Sequence, residues 1–187
     1  ADCRVMPIPR TAAAAALAAV LAACSNGSLP NPYSTVTGWM TAPDGRTLGS
    51  MSMVDVAPNG TLWIAERCGA NDCLPNGDID PILHVASNGE WLGAFGAGLF
   101  AWPHGIYVDS GGNIWVTDGQ DNGPQAERGA PPRQGPPAQA TKGSQVYKFS
   151  PQGKLLMTLG KPGGASDPDY FYQPDDVLVA PNGDIFV

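Results

Sequence analysis

One short pattern occurs three times in the chain, and this repeat limits the possible fold more than any other feature. Each copy has two short runs rich in β-branched and aromatic residues on either side of a Gly-containing turn, which is the pattern of a β-hairpin. The copies cover residues 53–64, 106–117 and 176–187. Aromatic residues fall at equivalent positions in all three copies, as Trp63, Trp115 and Phe186. A unit of this kind cannot bury its apolar faces alone, so each copy needs neighbours.

A second hairpin pattern alternates with the first, at residues 82–93 and 146–157. Two alternating hairpins make a four-stranded blade, and blades of about 40 to 50 residues in series are typical of a β-propeller. The sequence therefore predicts an all-β protein with about three blades over residues 35–187. A closed propeller has roughly four to eight blades. Because the third copy stops at Val187, we expect a partial propeller.

The composition supports this fold class and argues against one class of partner. The 24 glycines and 19 prolines among 187 residues suit an all-β chain with many turns. The formal net charge is −7, with only 10 lysines and arginines. Because neutralisation of phosphates dominates affinity for nucleic acid, we expect no nucleic-acid partner.

The N-terminal residues resemble a targeting segment. Arg4 and Arg10 precede an alanine-rich apolar run, residues 11–23, that has the length of a signal-peptide core. The run ends in Leu-Ala-Ala-Cys24, which resembles a bacterial lipobox. We therefore predict a signal peptide over residues 1–24, lipidation at Cys24, and a tether over 25–34. The protein would be exported and lipid-anchored in the periplasm or at the cell surface, with no other membrane contact. The alternative is an ordinary signal peptide that contains a cysteine.

Residues 119–143 interrupt the second blade. They are rich in Gln, Pro, Gly and Ala with scattered charges, a composition typical of a mobile surface loop. We therefore predict a flexible insert here.

Cys68 and Cys73 are the two cysteines outside the targeting segment. Cysteines of exported proteins usually pair, so we predict a disulfide between them. Free or metal-bound thiols remain the alternative.

His104 and Arg67 are the candidate functional residues. His104 follows Trp-Pro at the start of a propeller strand, where strands converge near the axis, so it is a candidate ligand of an axial metal. A hydrogen-bonded structural histidine is the alternative. His84, inside a strand, is predicted to be structural. Arg67 follows Glu66 at the end of a strand, and its planar cationic group suits a carboxylate. A surface ion pair with Glu66 or Asp72 is its alternative role.

Four motifs in this order resemble the peptidyl-α-hydroxyglycine α-amidating lyase family, in particular its bacterial members built of NHL-type repeats. They are Trp102-Pro-His-Gly-Ile, Gly-Asn-Ile-Trp-Val-Thr-Asp118, Gln145-Val-Tyr-Lys-Phe and Phe171-Tyr-Gln-Pro-Asp-Asp-Val-Leu-Val. The similarity runs from about residue 49 to residue 187. It implies a six-bladed propeller with zinc and calcium. It also implies a carbon–nitrogen lyase that converts a peptidyl carbinolamide to a peptide amide and glyoxylate.

The resemblance also implies roles for individual residues. His104 matches a zinc-binding histidine, Arg67 the active-site arginine, and Val54 and Ile106 residues whose main-chain carbonyls bind calcium. Two further histidines, a catalytic tyrosine and a calcium-binding aspartate are expected after residue 187. Tyr172 stands where the animal enzymes have a half-cystine. We expect a peptide or small-molecule substrate and a monomer at full length. The alternative function is a non-enzymatic propeller of the cell envelope that binds peptide or glycan.

Overall fold

The computed structural model describes residues 31–43, 45–125, 127, 129–131 and 133–187. The predicted signal peptide, its Cys24 and residues 25–30 of the predicted tether lie outside these residues. The described part contains ten strands and no helix, so the predicted all-β class is confirmed. Within it there is accordingly no helical segment with the length and apolar character needed to span a bilayer.

Eight strands form two antiparallel four-stranded sheets, and two short strands form a third hairpin. The first sheet contains β1 (Met51–Val56), β2 (Leu62–Glu66), β3 (Ile82–Val85) and β4 (Trp91–Phe95), in that order. The second contains β5 (Pro103–Val108), β6 (Ile114–Asp121), β7 (Gly143–Phe149) and β8 (Leu155–Leu159). The hairpin contains β9 (Leu178–Val179) and β10 (Ile185–Phe186). These are repeated propeller blades, as the two alternating hairpin patterns predict.

The turns of the three repeated hairpins have the same geometry. A glycine at the same position of each turn has a positive φ, +81° at Gly60, +78° at Gly112 and +91° at Gly183. A side chain is disfavoured in this left-handed region, which explains why the turn requires glycine. Each of these glycines donates its N–H to a carbonyl three residues earlier, at 2.8 Å in every case.

The main core lies between the two four-stranded sheets. Both sheets and the segment that joins them contribute aromatic side chains, and the largest of these are Trp63, Phe100, Tyr147 and Phe149. Trp115 and Val146 on the other face of the second sheet pack against Val177 of the third repeat. Burial of one large apolar side chain contributes about 1.5–3 kcal/mol, so these two layers hold the repeats in series.

Residues 34–40 form no strand, although several of them have high β propensity. The structure has a turn there instead, with Gly38 at φ +66°. A run of β-branched residues forms a strand only when it pairs with a neighbour, and the left-handed glycine breaks the extended backbone.

The insert begins and ends within strands. Residues 119–121 continue β6, and Gly143 is the first residue of β7. The described residues between them contain no strand or helix. Part of the segment contacts the loop after β8, where the N–H and Oγ of Ser166 donate to the carbonyl of Arg133 at 2.7 and 3.0 Å.

Candidate functional site

Arg67 begins the loop that follows β2. The residue before it, Glu66, is fully buried, and its carboxylate accepts the N–H groups of Gly49 and Gly69 at 2.5 and 2.7 Å. Glu66 also forms an ion pair with Arg46 at 3.1 Å. Arg67 forms no ion pair with any described residue, so its predicted alternative role, a surface ion pair with Glu66 or Asp72, is wrong.

The Arg67 guanidinium lies against the indole ring of Trp102, with 3.7 Å between Cζ and the ring centroid. Its Nε donates to the carbonyl of Pro103 at 3.4 Å, and its Nη1 donates to Oδ1 of Asn71 at 3.2 Å. Burial lowers the pKa of Arg67 from its ordinary value, and the nearby charge of Asp72 partly offsets this change. The side chain is therefore a cation with a defined orientation.

His104 lies one residue after the start of β5, also against Trp102. The ring centroids of His104 and Trp102 are 4.7 Å apart, and the rings are inclined by 30°. Nδ1 of His104 lies 3.0 Å from the carbonyl oxygen and 3.1 Å from Oδ1 of Asp175. With two acceptors facing it, Nδ1 carries the proton, which leaves the lone pair on Nε2 for a metal.

Trp102 therefore joins the two candidate residues, although they come from different sheets. Its position depends on β6, because Gly119 donates its N–H to the Trp102 carbonyl at 2.9 Å. A Cβ atom at Gly119 would lie only 2.8 Å from Cε3 of Trp102. An aromatic residue beside His104 is visible in the sequence, but its contact with Arg67, 35 positions earlier in the chain, is not.

A buried carboxylate fixes the backbone next to Trp102. Oδ2 and Oδ1 of Asp118 accept the N–H groups of Ala101 and Trp102 at 2.9 and 2.5 Å. Asp118 is completely buried, and burial raises its pKa to about 7 although both hydrogen bonds favour the charged form. Asp118 occupies the position of Glu66 in the first sheet, so both blades use the same device to tie down the segment before their first strand.

The third repeat supplies the groups that orient His104. The Asp175 carbonyl accepts a second hydrogen bond from Oγ1 of Thr117 at 2.9 Å, and Thr117 Oγ1 in turn accepts the N–H of Gly105 at 2.8 Å. A Cβ atom at Gly105 would lie 2.6 Å from the same carbonyl oxygen, so only glycine permits this approach. Sequence reasoning missed the role of Asp175, because it depends on the packing of successive repeats.

Val54 and Ile106, the proposed calcium residues, occupy equivalent positions on β1 and β5. They pair with Ile64 and Val116 on the second strands. Oγ of Ser52 donates to the carbonyl of Pro103 at 3.0 Å, which links β1 to β5. Main-chain carbonyl oxygens on such strands are the hard ligands that Ca²⁺ prefers.

Two further observations define the donors in the described part of the chain. No group of three or more metal-ligating side chains occurs among these residues, so none of them completes a set of three side-chain ligands with His104. Cys68 and Cys73 form a disulfide, with the sulfurs 2.02 Å apart.

His84 is structural, as predicted. It stacks on Trp63 with ring centroids 3.9 Å apart, and its Nε2 lies 2.9 Å from Oγ1 of Thr61. Burial lowers the pKa of His84 below its ordinary value. Trp63 therefore covers one face of the ring, and Thr61 engages Nε2.

Comparisons with known proteins identify the relatives of the chain. The NHL repeat family matches residues 100–123, which include Trp102 and His104. The probable peptidyl-alpha-hydroxyglycine alpha-amidating lyase of Caenorhabditis elegans is 37% identical over 159 residues, which are 76% of this chain and 39% of the relative. The chain therefore contains an NHL repeat, and over most of its length it is similar to proteins named peptidyl-alpha-hydroxyglycine alpha-amidating lyases.

Two further relatives have related names. The peptidyl-alpha-hydroxyglycine alpha-amidating lyase 2 of Drosophila melanogaster is 28% identical over 179 residues, 86% of this chain and 37% of the relative. The peptidylglycine alpha-amidating monooxygenase of Rattus norvegicus is 36% identical over 115 residues, 58% of this chain and 9% of the relative. The chain therefore spans well under half the length of each of these three relatives.

Proposed function

We propose that the protein is a lyase that cleaves the C–N bond of peptidyl-α-hydroxyglycine-type carbinolamides and releases an amide and glyoxylate. The names of the relatives support this substrate class. The observation that carries the proposal is the joint packing of Arg67 and His104 on Trp102. A cation and an oriented imidazole from two different blades thereby occupy the same part of the molecule.

The reaction requires a redistribution of one proton and one electron pair. The hydroxyl group of the substrate loses its proton, the O–H electrons form the new C=O bond of glyoxylate, and the C–N bond breaks. The leaving nitrogen takes up a proton and becomes the amide. Arg67 binds the substrate carboxylate through charge-assisted hydrogen bonds and stabilises the negative charge that develops on oxygen. Because the guanidinium is already fixed, little reorganisation accompanies the reaction.

Zinc and calcium are part of the proposal. We assign zinc to Nε2 of His104, because a ligating histidine typically donates its other ring N–H to a carbonyl or carboxylate, as Nδ1 does to Asp175. When bound, zinc supplies Lewis-acid chemistry that makes a hydroxyl group more acidic near neutral pH. A tetrahedral site needs ligands besides His104. We assign calcium to the main-chain carbonyls of Val54 and Ile106, where it would join the first strands of two blades.

The experiment is an assay of glyoxylate release from an N-acyl-α-hydroxyglycine by the full-length gene product. We expect Arg67→Lys and His104→Ala each to lower kcat/KM by about 100-fold or more, because each removes a group that acts on the transition state. Zinc content by elemental analysis should be stoichiometric in the wild type and lost in His104→Ala. His84→Ala is the matched control, and it should retain both zinc and activity.

The opposite result is equally clear. A folded wild-type protein that releases no glyoxylate, with or without added zinc and calcium, would contradict the proposal. It would instead support a propeller that binds peptide or glycan without catalysis.

A further inference from the structure

We propose that Trp102 is a positioning residue that fixes the Arg67 guanidinium for binding of the substrate carboxylate. The inference rests on the proposed function for the identity of the substrate. It assigns to Trp102 a role in orienting the arginine rather than in the chemical step.

Three contacts hold the Arg67 guanidinium. The indole of Trp102 covers one face at 3.7 Å. Two nitrogens are engaged by the main-chain carbonyl of Pro103 and the side chain of Asn71. Among the described residues, Nη2 has no hydrogen-bond acceptor, so the edge of the guanidinium that carries Nη2 is the one that can meet a carboxylate. Stacking sets the plane of the group, and the two hydrogen bonds set its rotation within that plane.

The indole of Trp102 is itself held in position by β6 and by His104. Asp118 accepts the N–H of Trp102, and Gly119 donates to its carbonyl. The ring lies so close to Gly119 that any side chain there would displace it. His104 packs on the same ring. Trp102 is therefore held by the second blade, whereas Arg67 belongs to the first. The stacking contact with this fixed ring restricts the orientation of the Arg67 side chain.

Arg67 has a long, flexible side chain, so its orientation before binding affects the free energy of substrate binding. An arginine side chain loses considerable rotamer entropy when it is fixed. If the guanidinium is already stacked on an aromatic ring before the substrate binds, less of this entropy is lost on binding. Loss of the ring would leave Arg67 charged but free to rotate. The expected defect is in both KM and kcat, because binding and transition-state stabilisation use the same orientation.

The experiment compares Trp102→Leu and Trp102→Phe in the full-length protein. Leu fills space without a π-face, while Phe keeps a smaller one. We expect kcat/KM to fall about 10-fold in Trp102→Leu and less than about threefold in Trp102→Phe. Trp91→Leu is the matched control, because Trp91 also lies under an arginine, Arg46, at 5.2 Å in the first blade. It should leave kcat/KM unchanged.

A double-mutant cycle separates orientation from a general structural effect. In the Arg67→Lys background, Trp102→Leu should lower kcat/KM by less than about twofold, because the group that it orients is already gone. Additive losses in the two variants would overturn the inference.

Calorimetric binding of glyoxylate separates failure of this inference from failure of the proposed function. If the wild type binds glyoxylate without turnover and Trp102→Leu weakens binding about 10-fold, the lyase proposal fails and the positioning role stands. If Trp102→Leu binds and turns over like Trp91→Leu, the positioning role is overturned and the lyase stands. If the wild type neither binds nor turns over, both are overturned.

Discussion

Arg67 and Gly119 occupy the same position in two successive blades, each directly after a buried carboxylate. In the first blade this position supplies a guanidinium. In the second blade the position is Gly119, which has no side chain, and the indole of Trp102 packs directly against it. The same backbone position thus contributes a side chain in one repeat and room for a side chain in the next, and the candidate site arises from this difference between otherwise similar repeats.

Gly119→Ala tests this arrangement. The new methyl group would lie 2.8 Å from Cε3 of Trp102, so the ring must shift from its present position against Arg67 and His104. We expect the free energy of unfolding to fall by about 1–3 kcal/mol, as in other overpacked sites, and kcat/KM to fall as in Trp102→Leu. Urea unfolding and the glyoxylate assay measure the two effects. Gly135→Ala is the control, because its Cβ would meet no atom within 4 Å. Equal behaviour of the two variants would contradict the close packing described above.

At the scale of elements, Asp118 joins β6 to the segment that precedes β5. Burial raises its pKa to about 7, from 3.8 in an unfolded chain. Between these two values the folded protein holds a proton that the unfolded chain releases, so stability falls as pH rises through this window and is constant above it. The titration of Asp109 does not change stability in this pH window. Burial alone would raise its pKa, but hydrogen bonds from Trp115 and Asn113 lower it to about 2, so its stabilising effect is complete above the unfolded value.

We therefore expect the free energy of unfolding to be lower at about pH 7.5 than at about pH 5 in the wild type. Asp118→Asn removes this titration, so the stability of the variant should no longer fall between these pH values. His84, whose pKa is lowered by burial, contributes a change of the opposite sign in both proteins. The variant is less stable overall because one backbone N–H loses its acceptor. Urea unfolding at both pH values measures the slope. Asp184→Asn, at an exposed carboxylate, should keep the wild-type slope. A slope in Asp118→Asn equal to that of the wild type would assign the pH dependence to other groups.

Elements were predictable from sequence wherever a local signal specifies them. Turns with a glycine such as Gly60 or Gly112 define the hairpins, because the turn requires a positive φ that few other residues adopt. Residues 34–40 form no strand despite their β-branched residues, because strand formation depends on a partner that composition does not reveal. The candidate site, too, was predictable only in the part that local sequence specifies. His104 and Arg67 could be proposed from motifs, whereas their meeting on Trp102 depends on contacts between blades.

At the scale of the whole molecule, aromatic side chains from both blades form one cluster. The ring centroid of Phe100 lies 5.2 Å from that of Tyr147 and 6.1 Å from that of Phe149. The ring centroids of Phe95 in the first blade and Phe149 in the second are 4.8 Å apart. The two sheets share this core, so neither has a separate apolar interior on that side. We infer that the two blades unfold as one cooperative unit.

Phe100→Ala tests this unit. Phe100 is almost completely buried, so its truncation should lower the free energy of unfolding by about 3–5 kcal/mol. Trp63 lies in the first blade and Trp115 in the second, so their combined fluorescence and the far-UV circular dichroism should change in one coincident transition in both proteins. Leu156→Ala, at a half-exposed position on β8, is the control and should change stability little. Separate transitions in the wild type would show that the blades unfold independently.

The contact between His104 and Asp175 also has a consequence for the order of events during biosynthesis. The imidazole and the carbonyl that orients it are 71 residues apart in the sequence, and the chain is made from its N-terminus. A nascent chain that ends between Leu159 and Asp175 contains His104 and all of the second blade, but not the acceptor that fixes the ring. The nitrogen assigned to zinc therefore reaches its final orientation only after the third repeat has been synthesised and packed. Before that point, the His104 ring lacks the contact with Asp175 that orients it for metal binding.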